Sequence, residues 1–120
     1  REIPGHIVAE NEHAIAFLDI NPLNEGHTLV VPKKEVDKLF DLDEDTYLRL
    51  QAFTHQVAKA IEKAIPCLRV GVAVIGLEVP HAHIHLIPLH SLHDIDFSRP
   101  KLKLSQGEFE AIKEKIAKEV

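Results

Sequence analysis

The chain has 120 residues, 45% of them hydrophobic, which predicts one folded domain spanning residues 1–120 around a single core. Its formal net charge of -5 disfavours a nucleic-acid partner, because surfaces that bind a phosphate backbone normally carry a basic excess. The single cysteine, Cys67, excludes an intrachain disulfide and favours a reducing, cytoplasmic setting.

No apolar run approaches the roughly 20 residues that a membrane helix needs, so we expect no membrane partner. The chain starts at Arg1 and contains no Met, and we therefore expect the natural start to lie a few residues upstream.

The first third of the chain predicts strands that are separated by turns. Residues 6–10 and 14–20 flank the short connection Asn-Glu-His and predict an antiparallel hairpin. Residues 21–26 are rich in Asn, Pro and Gly and predict a loop. Residues 27–32 then predict a strand that stops at Pro32.

The rest of the chain predicts a helix, then two strands, then a second helix. Helical spacing of apolar residues predicts a helix over 43–64, with acidic residues at its start and lysines near its end. Residues 68–76 are apolar on both faces, as in a strand buried from both sides. Residues 81–89 predict another strand, and Ser105 begins a capping-box pattern for a C-terminal helix. An α+β fold with an antiparallel sheet follows.

Three histidines recur at every second position in the stretch VPHAHIHLIPL, residues 79–89. On a strand, His81, His83 and His85 share one face, while Ala82 and the apolar residues that alternate with the histidines take the other. The pattern therefore predicts a strand with imidazole rings on one face and core-packing side chains on the other.

Three interpretations of the histidines remain open from the residues alone. They could be solvent-facing histidines on an amphipathic strand. They could bind zinc, but His81 and His85 would be about 13 Å apart on a regular strand, and two neighbours plus His27 would be needed. They could instead act without a metal, because imidazole serves as nucleophile or proton donor near neutral pH.

The segment HAHIHLIP resembles the His-φ-His-φ-His-φ-φ signature of the histidine triad (HIT) family of nucleotide hydrolases and transferases. The block FLDINPLNEGHTLVVPKK, residues 17–34, is similar to a second block of that family, and residues 1–11 resemble the stretch preceding it. The resemblance covers roughly residues 1–90. It implies a five-stranded antiparallel sheet with one main helix and a C-terminal helix, and a homodimer that shares one continuous sheet.

The resemblance also implies a reaction, the hydrolysis of nucleoside 5′-monophosphate derivatives, such as phosphoramidates, through a covalent nucleotidyl-histidine intermediate. His83 would be the nucleophile and His85 would assist the leaving group. His81 and His27 would complete the catalytic set. The implied substrate contacts are Asp19 to ribose, and Phe17 and Ile20 near the base. We further expect backbone N–H groups around Gly76, together with the triad, to bind the phosphate. No metal or other cofactor is implied.

The chain departs from the family pattern before the triad. Many members carry Gly-Gln-Ser/Thr-Val there, whereas this chain reads GLEVP, with Leu77 and Glu78 in place of the polar residues. Because an ionised carboxylate would repel phosphate, we expect Glu78 to point outward. The alternative function is a nucleotide-binding sensor or interaction protein with little catalytic activity.

Overall fold

The computed structural model describes residues 5–120, so the first four residues of the segment 1–11 lie outside the described part. The described residues form five strands, two α-helices and two short 3-10 helices. The strands are β1 (Ile7–Glu10), β2 (Ala14–Leu18), β3 (Thr28–Pro32), β4 (Arg69–Ala73) and β5 (Ile84–Leu89). The helices are α1 (Glu44–Ala64) and α2 (Gln106–Ala117).

The strands form one antiparallel sheet in the order β1-β2-β3-β5-β4. The predicted α+β class and the five-stranded antiparallel sheet are therefore confirmed. None of the described helices is both long and apolar enough to cross a bilayer.

Both helices start where the sequence supplies capping groups. The Asp43 carboxylate accepts the backbone N–H of Thr46, and this satisfies one of the free donors of the first turn of α1. Ser105 and Glu108 form the predicted reciprocal capping box of α2. The apolar stripes of both helices are buried against one face of the sheet.

The sheet has a helix-covered face and a second face that carries the site. Ile84 and Leu86 on β5, and Ala82 just before that strand, are buried in the core on the first face as predicted. Directly paired residues lie on the same side of a sheet, so Phe17, Leu29 and His85 form a row across β2, β3 and β5 on the other face.

Two predictions about the strands are wrong in detail. The hydrogen-bonded part of β5 begins at Ile84, so His81 and His83 lie in an irregular segment before the strand. The strand predicted at 68–76 spans only Arg69–Ala73 and is not buried from both sides, because β4 lies at the sheet edge. Val72 on this strand is 60% exposed.

Candidate active site

A cleft of about 340 Å³ opens on the face opposite the helices. Its lining is mostly apolar, with two imidazoles at one side: Phe17, Leu29, Val31, Val79, Pro80, His81 and His83. The volume lies at the low end for small-molecule sites. Leu29 and Val31 were not predicted as site residues, although the alternation of β3 places them on the same face as Phe17.

The hydrogen bonds of His83 fix which ring nitrogen is free. Its Nδ1 lies 2.9 Å from the carbonyl oxygen of His81, and a carbonyl can only accept. The Nδ1 therefore carries a proton, and in the neutral ring the lone pair is on Nε2. His81 is anchored in turn, because its Nε2 lies 3.0 Å from the carbonyl oxygen of Pro32 and must donate to it.

His27 and His85 form a buried pair beside His83. His27 Nε2 lies 3.0 Å from His85 Nδ1, and the rings of His83 and His85 are 4.9 Å apart between centroids. The backbone N–H of Leu23 donates to His27 Nδ1 at 3.0 Å. His27 must therefore hold its proton on Nε2 and donate it to His85, whose own proton is left on Nε2.

Burial lowers the pKa of both histidines of this pair. The pKa of His27 falls to about 3, chiefly through burial and then through repulsion by His85 and Lys101. The pKa of His85 falls to about 4, through burial and then repulsion by His83. Both rings are consequently neutral near pH 7, as the shared hydrogen bond between them requires.

The local backbone around Gly26 brings His27 to this position. Gly26 has φ +92°, a conformation that L side chains rarely adopt, and it is packed against Ile65 and Pro88. The His27 N–H then bonds to the carbonyl of Asn24 at 3.1 Å, which closes the turn before β3.

Asp19 lies beside the pair, at the end of β2. Its carboxylate accepts the backbone N–H of Asn21 at 2.8 Å and lies 3.6 Å from His27 Nε2, too far for a hydrogen bond. Burial raises the pKa of Asp19, while the Asn21 contact and the positive potential of His83 and Lys101 oppose that rise. The carboxylate thus keeps lone pairs for hydroxyl donors.

Asp19, His27 and His85 offer possible metal-ligand atoms within 4.8 Å of one another. The sequence interpretation missed Asp19 as a partner of the histidines in such a set. The hydrogen bonds nevertheless oppose metal binding. The Leu23 N–H occupies Nδ1 of His27, so its Nε2 bears a proton instead of the lone pair that a metal needs.

The other predicted contacts are farther from the cleft. Ile20 is 68% exposed, and neither it nor Gly76 is among the lining residues. Gly76 has φ +72° with open space around it. The structure adds Phe97, whose ring centroid lies 4.8 Å from that of His85. Its position in the chain, after the triad strand, gave no signal for this contact.

The chain is similar in sequence and in structure to proteins of one known family. The family description "HIT domain" matches residues 1–92. An uncharacterized HIT-like protein of Methanocaldococcus jannaschii is 38% identical over 91 residues, covering 72% of this chain and 70% of that protein.

An adenosine 5′-monophosphoramidase of Saccharomyces cerevisiae is 35% identical over 88 residues, covering 72% of this chain and 56% of the yeast protein. Among solved structures, a HIT-like protein from Bartonella henselae superposes with a TM-score of 0.83 at 30% identity. That match covers 98% of this chain and 88% of the Bartonella chain.

Proposed function

The chain belongs to the HIT family, and from this membership and the histidine geometry we propose that it hydrolyses nucleoside 5′-monophosphate derivatives carrying an amine on phosphorus. The name of the yeast relative, adenosine 5′-monophosphoramidase, supports this substrate class. The observation that carries the proposal is His83, which lines the cleft with its Nδ1 committed to the His81 carbonyl.

His83 is the nucleophile in this proposal. Its Nε2 lone pair attacks the α-phosphorus, the P–N bond to the amine breaks, and the departing amine takes a proton from solvent. The imidazolium that forms keeps its Nδ1–H on the His81 carbonyl at 2.9 Å, which stabilises the positive charge.

His85 and His27 act as a neutral hydrogen-bond relay. His85 has no acidic proton to give near pH 7, since its pKa is about 4. Its Nε2–H instead donates a hydrogen bond toward the group that leaves phosphorus, oriented by His27 through the 3.0 Å contact. Water then attacks the nucleotidyl-His83 phosphorus, the P–Nε2 electron pair returns to the ring, and the water proton goes to solvent.

The rest of the cleft holds the nucleoside. Asp19 accepts ribose hydroxyls, and Phe17 with its apolar neighbours Leu29 and Val31 contacts the base. Phosphate binding is assigned to backbone N–H groups around Gly76. Glu78 is exposed, in keeping with the outward orientation expected for a carboxylate near a phosphate site.

The direct test incubates the protein with adenosine 5′-phosphoramidate and measures AMP. We expect turnover, and a nucleotidyl group on His83 when the reaction is quenched early. The competing proposal is a nucleotide-binding sensor with little catalysis, and the apolar Leu77 in the pre-triad loop favours it. Tight AMP binding without phosphoramidate turnover would select that alternative.

We also propose a homodimer in a cytoplasmic setting. The edge strand β4 leaves apolar surface exposed, with Val72 60% exposed and Leu68, directly before the strand, 78% exposed. An unpaired apolar edge invites pairing with another strand, and a two-fold mate of β4 would cover it and extend the sheet. The single half-buried cysteine, Cys67, is in keeping with a reducing compartment.

A further inference from the structure

Residues 94–102, here named the strap, run from the short 3-10 helix after β5 back across the site. They follow the part of the chain that the HIT domain description matches, residues 1–92. Two hydrogen bonds to backbone carbonyls fasten the strap to the loop before β3, one from a side chain and one from a backbone N–H. Arg99 Nη2 donates to the carbonyl of Leu23 at 3.1 Å, and the Leu102 N–H donates to the carbonyl of Pro22 at 2.9 Å.

The strap is attached at the peptide group that orients His27. The carbonyl of Pro22 and the N–H of Leu23 belong to one peptide unit. The carbonyl accepts from Leu102, while the N–H donates to His27 Nδ1 at 3.0 Å. A hydrogen bond received at the carbonyl polarises the peptide and strengthens its N–H as a donor. The strap therefore helps to fix the tautomer of His27 through two consecutive hydrogen bonds, from Leu102 to the Pro22 carbonyl and from the Leu23 N–H to His27.

Phe97 is the part of the strap that meets the histidine pair directly. Its ring lies edge-on to both imidazoles, with centroids 4.8 Å from His85 at 72° and 6.3 Å from His27 at 78°. This edge-to-face geometry is the favourable one for aromatic pairs. The half-buried ring also covers the pair with apolar surface and keeps water from it.

The strap holds its own turn closed. Lys101 Nζ donates to the carbonyls of Phe97 and Arg99, and Arg99 Nη2 donates to the carbonyl of Asp94 at 3.3 Å. These bonds hold the backbone on both sides of Phe97 and so help to fix the position of its ring.

We propose that Phe97 is a positioning residue, held by the strap against His85 so that His27 and His85 remain a neutral pair with one direction of hydrogen bonding. The role deepens the proposed function, on which its catalytic consequence rests. Without the ring, water reaches His85 and stabilises its charged form. A protonated His85 would turn an N–H toward the Nε2–H of His27 and break the relay.

Other charged or titratable groups also face the pair and set its protonation. His83 lies beside His85, Asp19 beside His27, and the Lys101 ammonium lies close enough to disfavour a charge on His27. The test must therefore change the aromatic cover and leave these groups in place.

The variants are Phe97→Ala, which removes the cover, and Phe97→Leu, which keeps an apolar side chain. Phe40→Ala is the matched control, because Phe40 is 81% exposed and its ring lies beside Tyr47, away from the histidine pair. Histidine ¹⁵N NMR, with the His85 signals identified by their loss in His85→Asn, reports tautomer and pKa without any substrate. Thermal unfolding checks that each variant is folded.

We expect Phe97→Ala to move the pKa of His85 up from about 4 toward its ordinary value and to mix its tautomers. With phosphoramidate, kcat should fall about tenfold or more while KM changes less than about twofold. Phe97→Leu should recover most of both properties, and Phe40→Ala should match the parent protein.

An unchanged His85 tautomer and pKa in folded Phe97→Ala would overturn the inference, and so would an equal loss of activity in the Phe40→Ala control. If the parent protein does not hydrolyse phosphoramidate, the proposed function fails while the NMR comparison still decides the role of Phe97.

Discussion

His27 Nε2 lies 3.0 Å from His85 Nδ1, and this contact has one possible direction because the Leu23 N–H already occupies His27 Nδ1. Protonating His85 at Nδ1 would place two N–H groups face to face at the shared contact, and protonating His27 at Nδ1 would do the same against the Leu23 N–H. Charge on the pair is therefore opposed by burial and by hydrogen bonding together.

The pair should make stability depend on pH. Both folded-state pKa values, about 3 and about 4, lie below the ordinary histidine value of 6.5, so the unfolded chain binds more protons between these limits. Stability from this source is complete above about pH 6.5 and is lost as pH falls through about 4 toward about 3. Urea unfolding midpoints measured from pH 8 to 4 should show this fall. In His27→Gln the midpoint should decrease less steeply with falling pH. Parallel curves for the two proteins would contradict the assignment.

His83→Ala should abolish turnover while AMP still binds. In the proposed function the nucleophile supplies the covalent route, whereas the ribose and base contacts are assigned to Asp19 and Phe17. Single-turnover kinetics and equilibrium AMP binding measure the two properties separately. Retention of most of the parent kcat, or a nucleotidyl label on His81, would move the nucleophile elsewhere.

Glu78→Ser should change AMP affinity and kcat/KM by less than about tenfold, that is by under ~1.4 kcal/mol. The reason is that Glu78 is exposed, and we expect its carboxylate to point away from the phosphate. Glu78→Gln is the control, since it removes the charge and keeps the size. A large gain in Glu78→Ser would show that the carboxylate repels the phosphate, and a large loss would show that it takes part in the chemistry.

Sedimentation at micromolar concentration should show a dimer. Val72→Lys, on the exposed edge strand β4, should weaken it, because a charged side chain would replace an apolar one on the edge that the partner strand covers. Leu92→Lys is the matched control, being 91% exposed but outside that strand. A stable monomer for the parent protein would count against the dimer.

Gly26→Ala should lower the free energy of unfolding by about 1–3 kcal/mol and reduce activity. Its φ of +92° is strained for alanine, and an added Cβ would lie 3.0 Å from Ile65 Cγ1. Gly107→Ala is the opposite control. Gly107 lies in α2, and a Cβ added there would make only an ordinary contact with Ser105 Oγ at 3.9 Å, so alanine should be neutral or stabilising by up to about 1 kcal/mol. Chemical denaturation gives both values, and equal effects would refute the argument.

Local patterns in the sequence were enough to predict much of the fold. The helical stripe of α1, the capping box at Ser105 and the alternation that buries Ile84 and Leu86 all appear as predicted. Each of these depends on residues a few positions apart, where the period of the backbone dictates which side chains share a face. The spacing of the triad carried the proposal of its chemistry in the same way.

Tertiary structure decided what residues distant in the chain do to each other. His27 and His85 are 58 positions apart, and only the pairing of β3 with β5 brings their rings together. Phe97 contacts both rings from the strap, a segment whose sequence has no strand or helix periodicity that would predict the contact. The exposure of Val72 likewise follows from strand order, since an apolar strand is buried or left at an edge according to which strands pair beside it.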